Sequence, residues 1–274
     1  MSLLPKITIV TPSFNQAIYL EKTIKSVLDQ KYPNLEYIII DGGSTDGSVE
    51  IIKKYSSHLA YWVSEADNGQ AHAINKGLHL ATGDWVGWQN SDDIYFPDAL
   101  NQVGLLAQKK PELDLIIGDI NLIDENSKVI RDVRYVKPSY YSVLAEGMVL
   151  TNQAAFWQRK LHNDIGFLNE SLHYGFDYDW FLRLLNKTKK SKHIPTILGG
   201  LRLHSDTKTH NAQNKFIAEY NLILSRHKPS SWLKRLFILR RFLLLIINFQ
   251  FKYIIRGCYE RFFLGQKRSS ASNL

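Results

Sequence analysis

Four aspartates close apolar runs in the first half of the chain. Asp41 ends "LEYIIID", Asp67 ends "AYWVSEAD", and the pair Asp92–Asp93 ends "WVGWQNSDD". Adjacent carboxylates repel each other, and an acid directly after three isoleucines is costly to bury without a partner. A divalent cation relieves the repulsion, because Mg2+ and Mn2+ prefer carboxylate oxygens and take water and substrate phosphate as their remaining ligands. The chemistry expected of such a rim is cation-assisted handling of a diphosphate, with Asp41 placed to meet a base or ribose donor of a nucleotide. An isolated Asp-Asp pair caps a turn just as readily, and Asp98 can cap the helix that follows. The shared position of all four acids after apolar strands is what favours a site.

The elements that must carry these acids alternate along the chain. Ile7–Val10, Leu35–Ile40, Ala60–Ser64 and Trp85–Trp88 read as short buried strands. Between them, Leu20, Ile24, Val27 and Leu28, then Ile51, Ile52 and Tyr55, then Ala71, Ile74, Leu78 and Ala81 recur at helical spacing. Such alternation predicts an α/β fold, a mostly parallel central sheet flanked by helices, with ligands bound beyond the carboxyl ends of the strands. "DGGSTDGS" over 41–48 is a glycine-rich strand-to-helix turn with Asp46 placed to cap. It lacks both G-x-G-x-x-G and G-K-[ST], so neither a dinucleotide fold nor a P-loop is supported.

The second half is less regular. A hairpin is expected around Glu125–Ser127 and a helix over Asp177–Leu185, followed by the polar stretch "LRLHSDTKTHN". One domain over 1–228 and a tail over 229–274 account for the whole chain. From Arg226 onward eleven Lys/Arg face one acid, Glu260, so this stretch exceeds the net +8 of the chain and the preceding residues sum to −2. A basic stripe on the folded body is therefore not expected, and neither is a nucleic-acid partner. On one helical face of the tail lie Lys234, Arg241, Asn248, Lys252, Arg256 and Glu260, with Leu, Ile and Phe over much of the rest. That pattern suits an amphipathic helix on an anionic membrane surface, or one packed on protein. A single cysteine, Cys258, and an N-terminus without a signal-like apolar run point to a reducing compartment. The longest apolar run of the tail is too short to span a bilayer. The expected location is the cytoplasm, peripheral on the inner face of the cell membrane.

"TIVTPSFNQAIYLEKTIKSVLDQKYPNLEYIIIDGGSTDGS" and "SEADNGQAHAINKGLHLATGDWVGWQNSDD" together resemble family 2 glycosyltransferases of the GT-A fold, of the bacterial cell-surface polysaccharide type. The resemblance covers roughly residues 5–210, and the ordered combination is far more specific than either piece. It implies a nucleotide-diphospho-sugar transferase that inverts the anomeric centre, with a UDP-sugar as the foremost donor, a glycan or lipid-linked acceptor and Mn2+ or Mg2+ as cofactor. By the same resemblance, Pro12, Phe14 and Glu21 belong to the nucleotide-sugar entry loop and its supporting helix. Asp41 would read the nucleobase, Asp67 would approach the donor, Asp92 would contact ribose or metal-bound phosphate, Asp93 would hold the metal, and His204 could join it. Asn90 stands where many relatives carry the first acid of D-x-D, which weakens the expectation of strict metal dependence.

Acceptor activation requires a group that takes the hydroxyl proton. In "GFDYDWFLRL" Asp177 matches the family's aspartate, while Phe176 replaces the glutamate before it. Asp177 is the expected base, and Asp179 the expected cap of the helix. Two other classes compete: a metal-dependent phosphohydrolase and a non-catalytic nucleotide-sugar-binding scaffold. The first wants an acid nucleophile after the first strand, where this chain has Thr11-Pro12-Ser13.

Overall fold

Seven consecutive buried residues form β1 (Ile7–Ser13), and β2 (Leu35–Asp41) is almost as completely enclosed. Strands hidden on both faces belong inside a parallel sheet covered by helices. The computed structural model, which describes residues 4–204, 213–227 and 231–256, has this arrangement. β3 (Tyr61–Ser64), β2, β1 and β4 (Trp85–Trp88) lie side by side and all parallel. Their crossovers are α1 (Ala17–Leu28), α2 (Ser48–Tyr55) and α3 (Gln70–Leu80). α3 lies directly on β1, because a Cβ at Gly77 would collide with the Val10 side chain. The register sets Ser13 beside Asp41 and Asp41 beside Ser64, which gathers the strand ends on one edge.

β5 (Ile94–Tyr95) and α4 (Ala99–Lys109) follow, and from here the sheet changes character. β6 (Leu115–Ile123) and β7 (Val129–Val133) form the expected hairpin, whose short turn allows only antiparallel pairing. β8 (Ala155–Gln158) is antiparallel to both β4 and β6, and so joins the two halves of the sheet. β9 (Ser191–Arg202) runs parallel to β6 and antiparallel to β5. Among the described residues nine strands form one sheet in the order β3-β2-β1-β4-β8-β6-β9-β5, with β7 on β6. Parallel pairing thus dominates the first half, as the alternation predicts, while the second half is mixed.

Further helices are α5 (Tyr140–Glu146), α6 (His162–Ile165), α7 (Phe176–Lys187), α8 (Gln213–His227) and α9 (Ser231–Ile247). An aromatic cluster ties α7 to the sheet. Trp88 of β4 lies 5.5 Å from Trp157 of β8 and 5.7 Å from Phe181 of α7, and Trp157 lies 5.7 Å from Trp180. All four side chains are fully buried. Large rings in edge-on and stacked contact carry much of a core's energy. Here they fix the start of α7 relative to the end of β4.

The basic side chains of the tail do not share one outward face. Arg240 donates to the Lys137 carbonyl (2.9 Å), Arg241 to the Arg134 carbonyl (2.8 Å), and Arg256 pairs with Asp132. Among the cations expected to face lipid, Arg241 and Arg256 therefore face the body, and Glu260 lies outside the described residues. What α9 turns outward is an apolar stripe of Trp232, Leu236, Leu239, Leu243 and Ile247. Among the described residues no helix is long and apolar enough to cross a membrane.

Candidate active site

The carboxyl ends of the parallel strands open into a cleft of about 490 Å3. Pro12 and Phe14 line it from the end of β1, Gly42 and Asp67 from the ends of β2 and β3, and Asn90, Asp92 and Asp93 from the loop after β4. Phe14 is 59% exposed, a large ring left open at the mouth. Asp67 accepts from the Gly69 N–H (2.7 Å) and leans over Gly42, where a Cβ would sit 2.7 Å from its Oδ2.

Two expected donor-side residues lie outside the lining. Asp41 is fully buried, and its oxygens accept from Gly43 N–H (3.1 Å), Ser44 N–H (2.8 Å), Ser44 Oγ (2.6 Å) and Ser64 Oγ (2.7 Å). Its carboxylate shapes the glycine turn and bridges it to β3, and in this arrangement it presents no atom to a nucleobase. Glu21 lies on α1 and accepts from Lys54 Nζ and the Tyr55 hydroxyl, both at 2.7 Å, which joins α1 to α2. Those two donors hold its carboxyl well below the usual range. Asp46, expected as a cap, sits one residue before the Gly47 cap position. It accepts from Ser48 N–H (3.0 Å) and Ala17 N–H (2.8 Å), so one side chain serves the starts of two helices.

The adjacent acids have different environments. Asp93 is buried, and Gln153 Nε2 (2.6 Å) and Asn90 Nδ2 (3.1 Å) donate to its Oδ2 while the Arg202 N–H donates to Oδ1 (2.8 Å). Burial, and then the charge of Asp92, push its pKa well above the usual carboxylate range. The next residue, Asp92, is partly open to the cleft and lies 3.1 Å from Nε2 of His204. His204 itself does not line the cleft; its ring packs 4.8 Å from that of Tyr19. Among the described residues no group of three His, Cys, Asp or Glu side chains forms a metal cage. One accessible carboxylate beside an imidazole still fits a cation that brings diphosphate oxygens and water as its other ligands. Asp92 is the residue suited to it, with the buried His204 imidazole backing its carboxylate. Asp93, expected as the metal ligand, is buried and accepts from protein donors on both oxygens, one on Oδ1 and two on Oδ2.

Asp177 lines the same cleft from the first turn of α7, as do His173, Tyr174 and Phe176 just before it. Its Oδ1 accepts from the Tyr178 N–H (2.7 Å). Asp179 does not cap the helix, whose cap position is Gly175; it pairs with Arg183 at 2.8 Å, one turn on. One cleft therefore holds Pro12, Phe14, Asp67, Asp92, Asp93 and Asp177, while Glu21, Asp41 and His204 do not line it.

Several residues that build the site carry no motif. Gln153 and Arg202 both line the cleft and both hold Asp93. Arg202 is 1% exposed, and its Nε also donates to the Asp92 carbonyl (2.6 Å) while its Nη1 reaches the Asp124 (2.8 Å) and Glu125 (3.0 Å) carbonyls. A signal for it exists in the sequence. An arginine in the apolar run "ILGGLRL" demands partners for the reason that singles out Asp41.

Comparison with known proteins adds relatives to this geometry. The sequence model described as Glycosyl transferase family 2 matches residues 8–167. An uncharacterized glycosyltransferase of Rickettsia typhi is 29% identical over 235 residues, which cover 81% of this chain and 71% of that one. Two further Rickettsia relatives are longer, and the chain spans only 31% and 30% of them. Among solved structures, Staphylococcus aureus TarS 1–349 in complex with UDP-GlcNAc superposes with a TM-score of 0.65 at 16% identity, over 80% of this chain and 65% of that one. The mannosyltransferase PcManGT from Pyrobaculum calidifontis, in complex with GDP-Man and Mn2+, gives 0.60 at 18% identity, over 94% and 81%. At these identities the structural likeness establishes a shared fold.

Proposed function

The chain belongs to glycosyl transferase family 2, and from that premise we propose that it is an inverting glycosyltransferase acting on a nucleotide-diphosphate sugar. The observation that carries this reading is that Asp177 lines the same cleft as Asp67, Asp92 and Asp93. The acceptor hydroxyl loses its proton to the Asp177 carboxylate as its oxygen attacks the anomeric carbon. The bond from that carbon to the diphosphate oxygen breaks, and its electron pair leaves with the nucleoside diphosphate. A divalent cation, when bound, supplies positive charge to the departing diphosphate. Asp92, backed by His204, would hold it, and Asp93, locked by Gln153, Asn90 and Arg202, would fix the loop that presents Asp92.

A UDP-sugar is the foremost donor, a choice supported by the UDP-GlcNAc bound to TarS, while PcManGT with GDP-Man keeps a second base in view. For the acceptor we propose a glycan or lipid-linked hydroxyl in surface polysaccharide assembly, met on the cytoplasmic face of the membrane. Exposed Lys234, Arg235 and Lys252 lie on α9 or just beyond it, and no acid occurs over 231–256. That combination suits an anionic lipid surface, with the apolar side chains rather than the arginines making the main contact.

Replacing Asp177 by Asn tests the reading. Transfer from a panel of nucleotide sugars, followed by mass spectrometry with and without Mn2+, should fall at least 100-fold, while nucleotide binding stays within about twofold. Undiminished transfer would remove Asp177 from the mechanism. Hydrolysis of simple phosphate esters at the wild-type cleft would favour the phosphohydrolase instead.

A further inference from the structure

Loops that carry a catalytic group need something to hold them, and α7 provides little of its own. Its cap position is Gly175, and no side chain caps it from there. The free N–H groups before the helix are met from far along the chain. Glu219 of α8 accepts from His173 N–H (3.0 Å) on one oxygen and from Tyr174 and Gly175 N–H (both 2.8 Å) on the other. One carboxylate thus fastens three successive backbone amides immediately ahead of Asp177, and its negative charge sits at the positive end of α7.

The grip extends along one face of α8. Phe216, Glu219, Tyr220 and Ile223 recur at helical spacing. Ile223 is fully buried and packs so tightly on the loop that a Cβ at Gly175 would stand 2.9 Å from its Cδ1. The ring of Tyr220 lies 4.5 Å from that of Tyr178. Phe216, one turn from Glu219, lines the cleft beside Asp177. α8 therefore belongs to the working part of the molecule, although it lies beyond the residues matched by the family's sequence model.

We propose that Glu219 is a positioning residue for transfer: its carboxylate fixes the 173–175 loop and thereby sets Asp177 at the cleft. This inference rests on the role of Asp177 given above, and its test has a readout that does not. Wild type, Glu219→Gln and Glu219→Ala are compared by amide hydrogen exchange over 173–179, by thermal unfolding, and by nucleoside diphosphate release from UDP-sugars with an octyl glycoside as acceptor. In Glu219→Ala, exchange over 173–175 should rise at least tenfold. kcat should fall 10- to 100-fold with the donor KM within twofold of wild type. Glu219→Gln keeps an acceptor oxygen without the charge and should recover part of both effects.

A residue that only supports the fold would lower the unfolding temperature and spread faster exchange over the whole of α8, without that selective loss of kcat. Unchanged exchange at 173–175 in Glu219→Ala overturns the proposal, as does unchanged kcat in a wild type that turns over. If the wild type releases no diphosphate from any donor, the transferase reading falls, and the exchange data still decide whether Glu219 holds the loop.

Discussion

Single side chains in this protein show how burial sets protonation. His162 is 7% exposed; Trp157 Nε1–H donates to its Nε2 (3.1 Å), so its proton sits on Nδ1 and is donated to the Gly166 carbonyl (2.9 Å). Burial lowers its pKa to about 4. The unfolded chain, titrating near the ordinary value of 6.5, binds more protons than the folded one between those limits. Stability from this group is complete above pH 6.5 and drains away as the pH falls toward 4, by up to about 3 kcal/mol. Glu36 acts lower on the scale: although burial pushes its carboxyl up, Lys6, Thr8 and Thr82 hold it at about 2, so its contribution fades only below the ordinary carboxylate pKa. Urea midpoints should therefore drop between pH 6.5 and 5 in the wild type and stay nearly level in His162→Gln. A wild-type midpoint that is flat over this window would contradict the buried neutral imidazole. Residue chemistry could be read unevenly from the sequence. The acids after apolar strands stood out because their types conflict with their surroundings, whereas Gln153 and Glu219 act through contacts 60 and 44–46 residues distant that no local pattern reveals.

At the scale of elements, the first half could be read throughout, and the second only at the β6–β7 hairpin and at α7. Period and turn chemistry locate β1 to β4 and their helices, because parallel strands buried on both faces leave continuous apolar runs. β5 is two residues long and β8 four, and their places depend on partners far along the chain. Gly199 shows how tight that arrangement is. It lies in β9 opposite Tyr95, and a Cβ there would collide with the backbone carbonyl of Gln153, the residue that holds Asp93. Gly199→Ala should cost about 1–3 kcal/mol or more through overpacking, since backbone yields less readily than a side-chain tip. It should also loosen Asp93, so nucleotide affinity is expected to fall with the denaturation midpoint. A variant with the parental midpoint would show that the β9–Gln153 approach is slack.

Across the whole molecule, the tail presents an inverted arrangement. Arg240, Arg241 and Arg256 bind the body while apolar side chains of α9 face out, with Leu239 55% and Leu243 50% exposed. The double variant Leu239→Ser/Leu243→Ser should lose most of its co-flotation with anionic vesicles while it turns over soluble substrates at the parental rate. Equal flotation would reject lipid as the occupant, and a concentration-dependent dimer abolished by the same changes would assign the stripe to a second copy. The cleft itself lies where the parallel and mixed halves of the sheet meet across β4 and β8. One bank, bearing Phe14, Asp67 and Asp92, hangs from the ordered half; the other, bearing His173, Asp177 and Phe216, hangs from the irregular half. On the transferase proposal, the ordered bank would meet the nucleotide and the irregular bank the acceptor. Substitutions at His173 or Phe216 should then change which acceptors are used while nucleotide affinity holds, as a binding titration beside an acceptor screen would report.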